Sequence, residues 1–98
     1  MDQVSGRVIR IYGVVQGVGF RPFVKRTADR FGIRGSVANK GPYVEVCAQG
    51  TDVALRAFLE SLKNEPPERS SILKMDVKET KETPAAGFAI VESERESG

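Results

Sequence analysis

The segment RVIRIYGVVQGVGFRPFVKRTADRFG, residues 7–32, changes its apolar period partway along. Up to Val15 the pattern alternates: Ile9, Ile11 and Val15 fall at even spacing among β-branched neighbours, which predicts a strand with one strongly apolar face. Val8, Tyr12 and Val14 make the other face apolar as well, as expected of a central strand. From Phe20 onward the period is helical. Phe20, Phe23, Val24, Thr27, Ala28 and Phe31 form one stripe, with Lys25, Arg26, Asp29 and Arg30 elsewhere on the wheel. Pro22 fits the first helical position, where its missing N–H costs nothing. Gly32 fits the residue just past the helix end. A strand, a glycine-rich turn and a helix thus follow one another within 26 residues.

Working outward, RGSVANKGPYVEVCAQG predicts a strand through Val37, a turn at Lys40-Gly41-Pro42 and a second strand in which Val44, Val46 and Ala48 share a face. The two make an antiparallel hairpin. TDVALRAFLESLKNEPP follows with a Thr or Asp cap, carries Leu55, Phe58, Leu59 and Leu62 at helical spacing, and stops before Pro66-Pro67. SILKMDVKET alternates Leu73, Met75 and Val77 against Lys74, Asp76 and Lys78 as a fourth strand, and GFAIVES gives a short last one with Phe88 and Ile90 on one side. The order β-α-β-β-α-β plus a short extra C-terminal strand predicts an α+β, ferredoxin-like sandwich, with two helices on one face of an antiparallel sheet. The domain is expected over residues 1–92, with 93–98 a polar tail or the start of a linker.

With 98 residues and 40% hydrophobic residues, the chain has enough apolar content for one compact core. No apolar run approaches the roughly 18 residues that cross a bilayer, and the first ten residues lack the apolar centre of a signal peptide, so a cytoplasmic protein without membrane partners is expected. Cys47 is the only cysteine, which rules out an internal disulfide and a cysteine-rich metal site. Histidine is absent altogether. That removes the usual general base near neutral pH, the Ser-His and Cys-His nucleophile pairs and the commonest zinc ligand. Chemistry is left to Arg, Lys, carboxylates, amides, hydroxyls and backbone, and neither a metal nor a cofactor is expected. A formal charge of +2 from 15 basic and 13 acidic residues, with few aromatics, does not point to nucleic acid.

Gln16-Gly17-Val18-Gly19-Phe20 joins the first strand to the first helix. Such a junction offers free backbone N–H groups at the positive end of the helix dipole, the physical requirement for an anion site. Arg21, at the mouth, adds a planar fork of donors suited to phosphate oxygens. The plainer reading is a tight strand-to-helix turn with a solvated arginine, and likewise an ordinary turn residue at Asn39. The segment is neither a Walker A loop nor a complete Gly-x-Gly-x-x-Gly. Cys47 reads as a structural thiol, since nothing nearby lowers its pKa. Glu45, Glu65 and Glu68 read as solvated.

VQGVGFR followed by GSVANKG, which sets Asn39 18 residues after Arg21, resembles the acylphosphatase family, whose motif couples a glycine loop ending in Phe-Arg to a Gly-x-Val-x-Asn strand. The resemblance runs from Arg7 to Glu92. It implies that Arg21 binds the phosphoryl group together with the backbone of Gln16, Gly17, Val18, Gly19 and Phe20, and that Asn39 orients the attacking water. The substrate implied is a small acyl phosphate, with inorganic phosphate as a product.

GFRPFV, the short NKGPYVEV connection and PPERSSI further resemble the N-terminal acylphosphatase domain of HypF-type carbamoyltransferases, large proteins of hydrogenase maturation that use carbamoyl phosphate. This resemblance implies the remaining domains of such a protein as partners. Ser36 stands where many stand-alone members have an aromatic residue, and Pro42-Tyr43 where their turn often has Asp-Gly. The zinc, nucleotide-binding and transferase segments of the large proteins are not within these residues. Two functions are therefore expected from the sequence: hydrolysis of an acyl phosphate, or a phosphate-binding or regulatory module using the same cradle.

Overall fold

The computed structural model describes residues 4–81 and 86–91. The chain forms β1 (Val4–Val14), α1 (Phe20–Phe31), β2 (Arg34–Asn39), β3 (Val44–Thr51), α2 (Asp52–Asn64), β4 (Ser71–Thr80) and β5 (Phe88–Val91). The sheet order is β4-β1-β3-β2-β5. Each helix follows one strand and leads to another that is parallel to it, with a third strand inserted between the two. This is the ferredoxin-like arrangement expected. All ladders are antiparallel except the last, where β5 joins β2 in parallel and makes the sheet mixed at that edge. The predicted tail, residues 93–98, lies outside the described residues.

The core lies between the helices and one sheet face. Ile9 and Ile11 on β1, Val37 on β2 and Val44, Val46 and Ala48 on β3 are buried there against Phe20, Phe23, Val24, Leu55, Phe58 and Leu62 of the helices. Burial of each large side chain is worth roughly 1.5–3 kcal/mol. The opposite face carries an ionic network, including Arg10 beside Glu45 at 3.5 Å, and the ring of Tyr12 against that of Tyr43 at 5.3 Å.

Local structure departs from the sequence pattern at two points. α1 begins at Phe20 with Gly19 as its cap, so Pro22 is the third helical residue and not the first. It still costs no hydrogen bond, because no residue in the first turn has an intrahelical acceptor for its N–H. On β4, Tyr12 faces Lys74 and Gly13 faces Ile72, which leaves Leu73 as the extra residue of a bulge. Leu73 is consequently 78% exposed, while Ile72 and Met75 pack against the core. Both helix ends expected from sequence are present: Gly32 caps α1 in the left-handed conformation, and Thr51 caps α2 by accepting a hydrogen bond from the Ala54 N–H at 3.1 Å.

Candidate functional site

β1 and β2 are both antiparallel to β3, so they run the same way and finish at the same end of the sheet. α1 returns from the end of β1 to the start of β2, and its N-terminus therefore lies at that end too. Register sharpens the placement: Val44 faces Ile11 on one side and Asn39 on the other. Asn39 is thus two strand spacings, about 10 Å, from β1. Because Asn39 pairs with buried Val44 and alternates with buried Val37, it stands on the sheet face that the helices cover.

The loop ahead of α1 has the backbone form of an anion cradle. Gly17 and Gly19 have φ of 72° and 78°, left-handed values that glycine adopts without steric cost, and a Cβ on either would meet open space. The N–H groups of Gln16 through Arg21 donate to no acceptor among the described residues, and no side chain caps the helix. The first intrahelical bond starts at the Phe23 N–H, which donates to the Gly19 carbonyl at 3.2 Å. α1 has no acidic residue in its first turn to neutralise its end. About half a positive charge from the helix dipole is therefore left uncompensated there. Phe20 fixes the loop from below, its ring buried and packed against Phe23 at 5.7 Å, and Val18 packs against the same core. Arg21 is half-buried and makes no ion pair or hydrogen bond among the described residues. By contrast, Lys25 on the next turn is engaged with Asp29 at 2.8 Å.

Asn39 and Gln16 meet at the turn between β2 and β3. The Gly41 N–H donates to Asn39 Oδ1 at 2.9 Å, and Gln16 Nε2 donates to the Gly41 carbonyl. One lone pair of Asn39 Oδ1 and both hydrogens on Nδ2 are left for another partner. The turn is closed by the Lys40 N–H, which donates to the Tyr43 carbonyl at 2.9 Å. From sequence, residues 40–42 are expected only as a turn; that Gly41 bonds both Asn39 and Gln16 is seen in the structure alone. An Asn two positions before a Gly is the pattern of an Asx turn, which was the available signal.

Of the expected residues, the structure brings the loop from Gln16 to Phe20, Arg21 and Asn39 to one end of the sheet. Cys47 stands apart on β3, half-buried. Burial pushes its thiol pKa up, Glu45 adds to the rise, and a Ser36 hydrogen bond and Lys40 offset part of it. Such a thiol is a poor nucleophile at neutral pH. Among the described residues, no group of three or more His, Cys, Asp or Glu side chains is placed to hold a metal ion, and no helix is long and apolar enough to cross a membrane.

Comparison with known proteins bears on the family and the fold. Residues 7–90 match the family model for acylphosphatase. The chain is 47% identical over 73 residues to a probable carbamoyltransferase HypF of Methanocaldococcus jannaschii, a match covering 74% of this chain and 10% of that protein. It superposes on a crystal structure of full-length HypF in a phosphate- and nucleotide-bound form with a TM-score of 0.90 and 34% identity, covering 96% of this chain and 13% of that one. The acylphosphatase of Bacillus subtilis, covered over 99% of its length, gives a TM-score of 0.82 and 36% identity. The chain thus spans about a tenth of the HypF relative's length and nearly all of a stand-alone enzyme.

Proposed function

The chain belongs to the acylphosphatase family, whose members hydrolyse acyl phosphates, and from that premise we propose that residues 16–21 hold the phosphoryl group of the substrate while Asn39 holds the attacking water. We read the chain as the acylphosphatase unit of a HypF-type carbamoyltransferase, acting in the cytoplasm on carbamoyl phosphate. The observation that carries the site reading is the row of free N–H groups ending at an unpaired Arg21, with Asn39 at the same end of the sheet.

The chemistry suits a protein without histidine. The carboxyl–phosphate bond is anhydride-like and its leaving group departs as a stable carboxylate, so no strong general acid is needed. Water attacks phosphorus; the bond from phosphorus to the acyl oxygen breaks, and its electron pair leaves on the carboxylate. The proton of the water passes to a phosphate oxygen. What the protein supplies is position and charge stabilisation. The loop N–H groups and the helix end meet the equatorial oxygens, and the Arg21 guanidinium adds charge-assisted hydrogen bonds. The free Nδ2 hydrogens and remaining Oδ1 lone pair of Asn39 are of the right kind to orient a water.

The test is the hydrolysis rate of benzoyl phosphate and carbamoyl phosphate by wild type, Arg21→Gln and Asn39→Ala, with circular dichroism confirming that all three are folded. Arg21→Gln should lose a factor of about a hundred or more, the effect of removing one key charge-stabilising donor. Asn39→Ala should turn over about a hundredfold more slowly, still measurably, and keep its affinity for inorganic phosphate. A folded wild type that binds phosphate but turns over neither substrate would overturn the hydrolase reading and leave a non-catalytic phosphate-binding module.

A further inference from the structure

We propose that Gln16 is a positioning residue, which sets Asn39 against the phosphate cradle through Gly41 and does not itself hold the phosphoryl group with its side chain. The inference rests on the reading just given, in which the cradle and Asn39 act on one substrate. The two belong to different elements. β3 lies between β1 and β2, so no ladder hydrogen bond joins the strand that ends in the cradle to the strand that ends in Asn39. In-line attack, however, tolerates little error between phosphoryl group and water, since a misplacement of about 1 Å costs on the order of a hundredfold in rate.

One side chain spans this gap. Gln16 Nε2 donates to the Gly41 carbonyl, and the Gly41 N–H donates to Asn39 Oδ1 at 2.9 Å. Among the described residues, this is the one side-chain hydrogen bond running from the cradle to the turn. Gly41 suits the relay because its φ of 101° lies in the left-handed region, with open space where a side chain would go. The turn is also held at its base, where Tyr43 packs on Tyr12 and its carbonyl accepts from Lys40 N–H. Those contacts secure the root of the turn on the far face of the sheet. Gln16 secures the tip, to which Asn39 is bonded.

The experiment is a double-mutant cycle. Gln16→Met keeps the length of the side chain and removes the donor; Gln16→Glu keeps the shape and sets a carboxylate against the Gly41 carbonyl. Each is made alone and in an Asn39→Ala background, and kcat, KM and inhibition by inorganic phosphate are measured on benzoyl phosphate. The expected result is a fall in kcat of about 10- to 100-fold for either single variant, with KM and phosphate inhibition changed less than about threefold. In the Asn39→Ala background the same substitutions should cost less than about threefold, because the residue they act through is gone. Equal losses in both backgrounds would overturn the proposal, as would weaker phosphate inhibition with unchanged kcat, which would make Gln16 a phosphate ligand. A second readout needs no turnover. Hydrogen exchange of the Gly41 N–H should accelerate about tenfold in Gln16→Met while core amides of β1 and β3 stay protected, and unchanged exchange would overturn the proposal. An inert wild type would count against the hydrolase reading alone, leaving this exchange measurement to decide the role of Gln16.

Discussion

Two glycines of this domain are required for different reasons, and alanine substitution separates them. Gly19, the cap of α1, has φ of 78° and open space where a Cβ would stand, so Gly19→Ala meets only the intrinsic penalty of a left-handed residue. That penalty is about 1–2 kcal/mol. With roughly 4–8 °C of melting temperature per kcal/mol for a domain of this size, Tm should fall by about 4–16 °C. Gly35 on β2 has φ of 136°, and a Cβ there would stand 2.8 Å from the Cys47 carbonyl carbon, deep in the shell of the adjoining oxygen. Because that atom is backbone of β3, relief requires β2 and β3 to part across their pairing, and the Gly35 N–H bond to the Gly87 carbonyl at 2.9 Å moves with them. Gly35→Ala should therefore lose about 4 kcal/mol or more, a large part of the 5–15 kcal/mol typical of a domain. Urea unfolding followed by circular dichroism measures both. A third variant, Gly19→Asn, should cost less than Gly19→Ala, since asparagine enters the left-handed region more readily than alanine. Equal losses for Gly19→Ala and Gly35→Ala, or a loss at Gly35 below about 1 kcal/mol, would refute the reasoning.

Three further expectations concern the frame around the site. Thr51→Ala removes the side-chain acceptor that caps α2 and should cost about 1 kcal/mol in urea unfolding, with Thr51→Ser recovering most of it. Phe58→Ala empties a site that is fully buried and packed on Phe88 at 6.3 Å, and should cost about 3–5 kcal/mol by the same assay. Cys47 holds its proton to higher pH in the folded chain than in the unfolded one, so its alkylation by iodoacetamide at neutral pH should be slower than that of the unfolded chain. The sign for stability follows: as pH rises through the ordinary thiol range the unfolded chain loses this proton first, so stability falls, and Cys47→Ala should flatten that slope.

Much of the fold was legible because side-chain period and burial coincide. Ile9, Ile11, Val44, Val46 and Ala48 alternate in sequence and are buried on one face, and Phe20, Phe23, Val24 and Ala28 sit on the buried stripe of α1. Period gave Leu73 the wrong side, since an alternating run carries no mark of the extra residue that a bulge inserts. Proline's preference for the first helical position put Pro22 two places too early in the helix, since that preference does not reveal that the left-handed Gly19 starts the helix at Phe20. The parallel pairing of β5 with β2 depends on where the chain returns after β4, which no local pattern encodes. At the candidate site, the family resemblance singled out Arg21 and Asn39, and the strand register puts both at one end of the sheet. The Gln16 side-chain bond to Gly41 was not legible, because it joins residues 25 apart and depends on the final placing of the turn.

The most direct test of the central claim is a titration of the isotope-labelled chain with inorganic phosphate, following backbone amides by two-dimensional NMR. The account predicts saturable shifts concentrated on the N–H groups of residues 16–21, with smaller changes at Asn39, and their loss in Arg21→Gln. Shifts absent from the loop, or centred on another basic region and indifferent to Arg21, would contradict it.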